Sequence, residues 1–126
     1  MHVVGRSRLV AATMAFHDLS RSRHTLIDAQ LKVAPNPTAW CSPSLDELSS
    51  VAAGDLAKVG LVFDGGGERF WTIVRQVDDG TIRAEVNNVL LTCFDSPQCG
   101  YVIEFKKNHI IDWIPQALAA KLAQAA

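Results

Sequence analysis

The stretch Gly54–Val77, GDLAKVGLVFDGGGERFWTIVRQV, does more than any other to limit what this chain can become. Val59, Leu61 and Phe63 alternate with Lys58, Gly60 and Val62, the period of a half-buried β-strand. The apolar pattern resumes after Asp64-Gly65-Gly66-Gly67 and runs from Arg69 to Val77, with Phe70, Trp71, Ile73, Val74 and Val77 all aromatic or β-branched. Apolar residues at both parities mark this second strand as a central one, covered on both faces. Glycine-rich loops also cradle phosphate, but that use needs a helix N-terminus to follow. A strand follows here, so the glycines are read as a hairpin loop.

The rest of the chain supplies partners for this hairpin. Asp78-Asp79-Gly80 carries the Asp-Gly turn signal. After it Ile82, Ala84 and Val86 alternate with Arg83, Glu85 and Asn87, and Asn88–Thr92 extends this strand or forms another. Residues 95–100 read as a loop, and Tyr101–Lys106 as a strand with Tyr101, Ile103 and Phe105 on one face. His109–Trp113 reads as a last short strand or a tight helical turn. Pro115 suits the first turn of a C-terminal helix that carries Leu118 and Leu122 and packs on the sheet or on a second copy. Before the hairpin, Ser44 and Glu47 have capping-box spacing and Pro43 an early-helix position, so a short connector helix is expected to end by Ala53, with Gly54 as its cap. Four or five short antiparallel strands with tight turns imply a small, partly closed barrel, which removes exposed sheet edges.

With 126 residues, 48% of them hydrophobic, the chain is one compact unit with enough apolar mass for a core. The expected division is an N-terminal helical arm, 1–34, and a barrel domain, 35–126, with Ala34-Pro35-Asn36-Pro37 as linker and Trp40 as a lid beyond it. Leu9–Lys32 favours helix, with Leu9, Thr13, Phe16, Leu19, Leu26, Ile27 and Leu31 near one face. The Ser20–Arg23 patch either splits it into two helices or forms a turn between a strand and a helix. His17 and His24 read as solvated positions rather than a ligand pair.

Charge and cysteine usage limit the function classes. Residues 1–32 carry five Arg/Lys and two Asp, +3; residues 33–126 carry seven Lys/Arg and eleven Asp/Glu, −4. An acidic sheet region argues against a nucleic-acid module, whose footprint is basic. No apolar run reaches the roughly 18 residues of a membrane span. Leu9–Phe16 follows two arginines as a secretory core would, but bulky residues follow it, and a soluble helix is the reading taken. Three cysteines, Cys41, Cys93 and Cys99, fit a reducing cytoplasm, with one facultative Cys93–Cys99 bridge open. Their spacing matches no zinc motif, and no cofactor or metal is expected. His109 could serve as a base, but no nucleophile or second acid is tied to it.

Pro43–Glu47, Gly54-Asp55-Leu56, Glu68-Arg69-Phe70-Trp71, Asn88 and Ile110-Ile111-Asp112-Trp113 together resemble the bacterial domain-of-unknown-function family numbered 2314, the YegJ-like proteins. The similarity spans residues 42–114. Two of that pattern's acids are absent here, where Asn87-Asn88 and Gly100-Tyr101 stand. The resemblance implies an SH3-like barrel and supplies no reaction. The expected fold is therefore α+β: a small antiparallel SH3-like, partly closed β-barrel with N- and C-terminal helices.

Arg69, Trp71, Asn88, Asp112 and Trp113 are the candidate site residues. In a structural role, both tryptophans pack over the barrel, Asp112 accepts a backbone hydrogen bond or pairs with Arg69, and the asparagines form a turn or bulge. In a binding role, they wall an aromatic groove. The expected function is a non-catalytic interaction module of the bacterial cytoplasm, of accessory or immunity type, with a protein partner and a second copy as candidate contacts. The alternative is a small-ligand-binding protein or minor enzyme with a pocket near Trp71 and Trp113.

Overall fold

Residues 15–21, 23–33, 41–63, 66–88, 90 and 97–125 are described by a computed structural model. The strands are β1 (Thr25–Leu26), β2 (Leu56–Phe63), β3 (Gly66–Asp78), β4 (Thr81–Val86), β5 (Val102–Lys106) and β6 (Asp112–Ile114). The helices are α1 (Ala29–Val33) and α2 (Gln116–Ala125), with 3₁₀ turns at Leu19–Arg21, Glu47–Ser50 and Lys107–His109. The sheet is antiparallel in the order β1-β2-β3-β4-β5, and β6 pairs with the other half of β2. It curls into a half-barrel, giving a mixed α+β fold.

Two turns set the sheet. Asp79 and Gly80 have φ of 48° and 89°, the mirror-image turn that matches the twist of the flanking strands. Two residues of the glycine run belong to the strand: Gly66 pairs with Phe63 and Gly67 with Val62, and Asp64-Gly65 lie outside the described residues.

Alternation then sorts the side chains. Ala57, Val59 and Leu61 of β2, Phe70, Thr72 and Val74 of β3, and Ile82, Ala84 and Val86 of β4 are buried on the inner face with Ile103 and Phe105. The Thr72 hydroxyl donates to the Ala57 carbonyl at 2.8 Å, so the one polar member of these rows is satisfied. At Arg75 the register shifts, and the bulge lets Val77 rejoin the core. Leu48 and Val51 join the same core from the connector. Its capping box forms: Glu47 N–H donates to Ser44 Oγ at 3.1 Å, and Ser44 N–H to Glu47 Oε1 at 3.1 Å. The element it opens is a single 3₁₀ turn that ends at Ser50, short of Ala53.

The N-terminal region departs from the expected long helix. Its described part holds a 3₁₀ turn, a two-residue strand and a five-residue helix. Local side-chain bonds place the turn and the helix start. Asp18 Oδ1 accepts from the Ser20 N–H and hydroxyl at 3.0 and 2.6 Å, and Asp28 Oδ1 accepts from Leu31 N–H at 3.2 Å, capping a helix that begins only at Ala29. Leu26 turns inward as a strand residue, whereas Leu31, placed on the same helical face by periodicity, is 70% exposed. Sheet pairing decides the rest. His17 N–H bonds the Val102 carbonyl at 2.8 Å, while Thr25 and Leu26 pair with Val62 and Leu61. The chain between them thus touches both margins of the sheet. His24 on this strap is 8% exposed, 6.4 Å from the His17 ring and edge-on to Phe63 at 5.9 Å. It is a packed core-edge histidine, not a solvated one.

Leu48 is fully buried and meets the barrel rows from outside the sheet. Leu48→Ala is expected to lower stability by about 2–5 kcal/mol, seen as an earlier urea midpoint with an unchanged slope. An unmoved midpoint removes the connector from the core.

Candidate functional site

Lys58 decides where the candidate residues lie. Ala57 and Val59 point inward, so Lys58 between them points outward. Trp71 pairs with Lys58 from β3 and Asp112 pairs with it from β6, which puts both on the outer face. The Lys58 ammonium lies 5.4 Å from the Trp71 ring centroid, a cation–π contact. Arg69 is on the same outer face, exposed, opposite Gly60. Asn88 lies just past β4 and extends its ladder: its Oδ1 accepts the Trp71 backbone N–H at 2.6 Å, and Asn87 N–H bonds the Trp71 carbonyl at 2.9 Å.

Trp113 goes the other way. It pairs with the inward Ala57 and packs against the core. The two tryptophans therefore occupy opposite faces of one sheet, and no single groove is walled by both. Asp112 Oδ1 accepts the neighbouring Trp113 backbone N–H at 2.9 Å; Lys58, not Arg69, is its neighbour in register.

A further row completes the outer surface. Leu56 pairs with Ile73 on β3 and Ile114 on β6, all three half-buried and outward. Ile114, Leu56, Ile73 and Trp71 thus form a contiguous apolar strip, with Asp112 at one margin and Glu85, opposite Ile73, at the other. Farther along β2, Ile27 and Ile111 cover Gly60. A Cβ there would stand 2.6 Å from Ile27 Cδ1, so any larger residue would make the ends of these side chains shift. Over β4 and β5 the outer face is charged instead. Arg75 pairs with Glu85 at 2.7 Å and Arg83 with Glu104 at 2.6 Å.

Asp55 is the residue the sequence reading passed over. It is 5% exposed, and its carboxylate accepts from Ala52 N–H at 2.9 Å, Trp113 Nε1–H at 3.0 Å and Gln116 N–H at 2.8 Å. The Gly-Asp pair before a strand was its only signal in sequence. His109 is also structural. Its Nδ1 accepts the Lys106 backbone N–H at 2.9 Å. Burial holds the imidazole below the usual histidine range, partly countered by Asp28, with Lys106 adding to the lowering. Asp28 itself takes Asn108 Nδ2–H at 2.9 Å, tying the start of α1 to the turn before β6.

Among the described residues no group of three or more His, Cys, Asp or Glu side chains is placed to hold a metal ion, and no helix is long and apolar enough to cross a membrane. The 34–40 linker with Trp40, and Cys93 with its suggested bridge to Cys99, lie outside the described residues. No family model, curated protein or solved structure matches the chain.

Asp55→Ala leaves three N–H donors without their acceptor. With about 1–3 kcal/mol for each buried unsatisfied group, a loss of about 3 kcal/mol or more is expected, together with loss of exchange protection at Trp113 Nε1–H by NMR. Retained protection would show that the carboxylate does not hold the indole. For His109 the folded protein binds the proton less readily than the unfolded chain. Its contribution is intact above the ordinary histidine pKa of about 6.5 and is lost as pH falls through that value towards the lowered folded one. His109→Gln keeps an acceptor for Lys106 and is expected to flatten part of the decline in melting temperature between about pH 7.5 and 5.5; an unchanged slope excludes His109 as its source.

Proposed function

We propose that the protein is a non-catalytic protein-interaction module, and that its contact surface is the outer strip centred on Trp71. The observation that carries this reading is the lateral register of Ile114, Leu56 and Ile73, with Trp71 the next outward residue along β3, on the outward face of a sheet whose inner face is already filled. An aromatic anchor within an apolar strip, bounded by charge, has the composition of an interface core with its rim. The Trp71 indole N–H makes no hydrogen bond among the described residues, so it can give a partner one specific polar contact. An SH3-like barrel, a cytoplasmic location and an accessory or immunity-type role belong to the same proposal. They rest on the resemblance of the motif order to the 2314 family, and the location also on the cysteine usage.

The test is affinity capture from a bacterial lysate with wild type and Trp71→Ala, both shown folded by circular dichroism. Recovery of the wild-type partner is expected to fall about tenfold or more with the variant, as for an interface hot spot. Identical partners at equal yield from both would end the proposal.

A further inference from the structure

Helix α2 is fixed at one end and uncovered along the rest. Gln116 N–H is held by the Asp55 carboxylate, and the Gln116 side chain lies against Gly54. Beyond that turn no described side chain of the helix is buried, and only Ala119 is half-buried. Leu118 and Leu122, one turn apart on one stripe, are 46% and 54% exposed. A ten-residue helix falls short of the about 12–15 residues at which an isolated helix is even marginal in water. Such a helix needs a packing partner for its apolar stripe.

The same chain carries an apolar strip of the opposite kind, a sheet face with no helix over it among the described residues. One charge matches as well. Lys121, between the two leucines, is the helix's one charge, with no acid beside it. Asp112 at one margin of the strip makes no ion pair among the described residues, although Lys58 stands in register between it and Trp71 and Glu85 at the other margin is taken by Arg75. We propose that the protein is a symmetric homodimer in which α2 of each copy lies on the Leu56–Ile73–Trp71 strip of the other, with Lys121 facing Asp112. In the single chain the leucines stay exposed while the strip is only half-buried. A two-fold exchange covers both halves at once, because an isologous interface uses each patch twice. This inference rests on the strip being a contact surface, and goes beyond it by naming the occupant.

Light scattering on the full chain, from about 1 to 200 μM to bracket dimers of micromolar affinity, is the test. The expected mass is twice the 13.7 kDa of one chain. Leu118→Glu with Leu122→Glu changes two exposed positions that the core does not use, and is expected to weaken the dimer about 100-fold or more. Trp71→Ala acts alike, Lys121→Glu weakens it, and Lys121→Glu with Asp112→Lys restores it. A wild-type monomer at every concentration overturns the inference, as does a dimer indifferent to the leucine pair. So does one that the leucine pair breaks but Trp71→Ala spares, since helices would then pair with each other. If the wild type is a monomer and Trp71→Ala still abolishes partner capture, the contact-surface reading stands and only the second copy is excluded.

Discussion

A buried carboxylate with no cation partner among the described residues, Asp55, ties together the connector, β6 and α2. Taking such a charge out of water costs several kcal/mol, and it is tolerated only when hydrogen bonds replace the lost hydration. Here the three donors come from the connector, from β6 and from the first turn of α2, so one side chain joins elements 58 and 61 residues beyond it in sequence. Its backbone does the same for the sheet. Val74 N–H bonds the Asp55 carbonyl at 2.8 Å, while Gly54 N–H bonds Val74 at 2.7 Å, with Gly54 at a φ of 96° that a side chain would strain. Because the Trp113 indole must reach this carboxylate, Trp113 faces inward. Asp112 and Ile114 must then face outward. The outer strip is thus a consequence of the inner hydrogen bond.

The two outer halves of the sheet solve different problems. Over β4 and β5, Arg75–Glu85 and Arg83–Glu104 lie directly or nearly opposite, and Arg83 also stacks 5.9 Å over Phe16. Exposed pairs of this kind contribute little to stability, roughly 0–1 kcal/mol each, but they keep that surface wet. Over β6, β2 and β3 the corresponding positions are Ile114, Leu56, Ile73 and Trp71. Ile27 and Ile111 cover the neighbouring part of β2 at Gly60, which leaves the strip as the apolar part of the outer face without a covering element among the described residues. Contiguous apolar surface that folding does not require to be exposed is where association is expected.

Much of this was legible in the chain because strand parity and turn chemistry are local. Asp79-Gly80 fixed one hairpin, the Val59–Leu61 alternation fixed the inner face, and Ser44 with Glu47 formed the cap their spacing implied. What was hidden depends on contacts distant in sequence. The N-terminal apolar residues fit a helical period, but Thr25 and Leu26 are claimed by Val62 and Leu61 of β2, far along the chain, and pairing of that kind overrides propensity. Gly66 and Gly67 look like loop residues until the register places them in strands. Trp71 and Trp113 look like two walls of one groove because both stand at strand positions of the pattern that carries the family resemblance. Only the pairing of one with Lys58 and the other with Ala57 separates them.

That separation also assigns their chemistry. Trp113 spends its indole N–H on Asp55, so it is bound to the fold and cannot recognise anything without losing a buried bond. Trp71 is held by its backbone instead, through Asn88 Oδ1 and Asn87 N–H, which fixes the strand, while its indole N–H makes no hydrogen bond among the described residues. Lys58 over the ring adds a cation whose stem shields one part of the indole and whose head keeps the surface soluble. A rigid backbone beneath an amphipathic ring lowers the ordering entropy that binding must overcome. Of the two tryptophans, this is the one placed to meet another molecule.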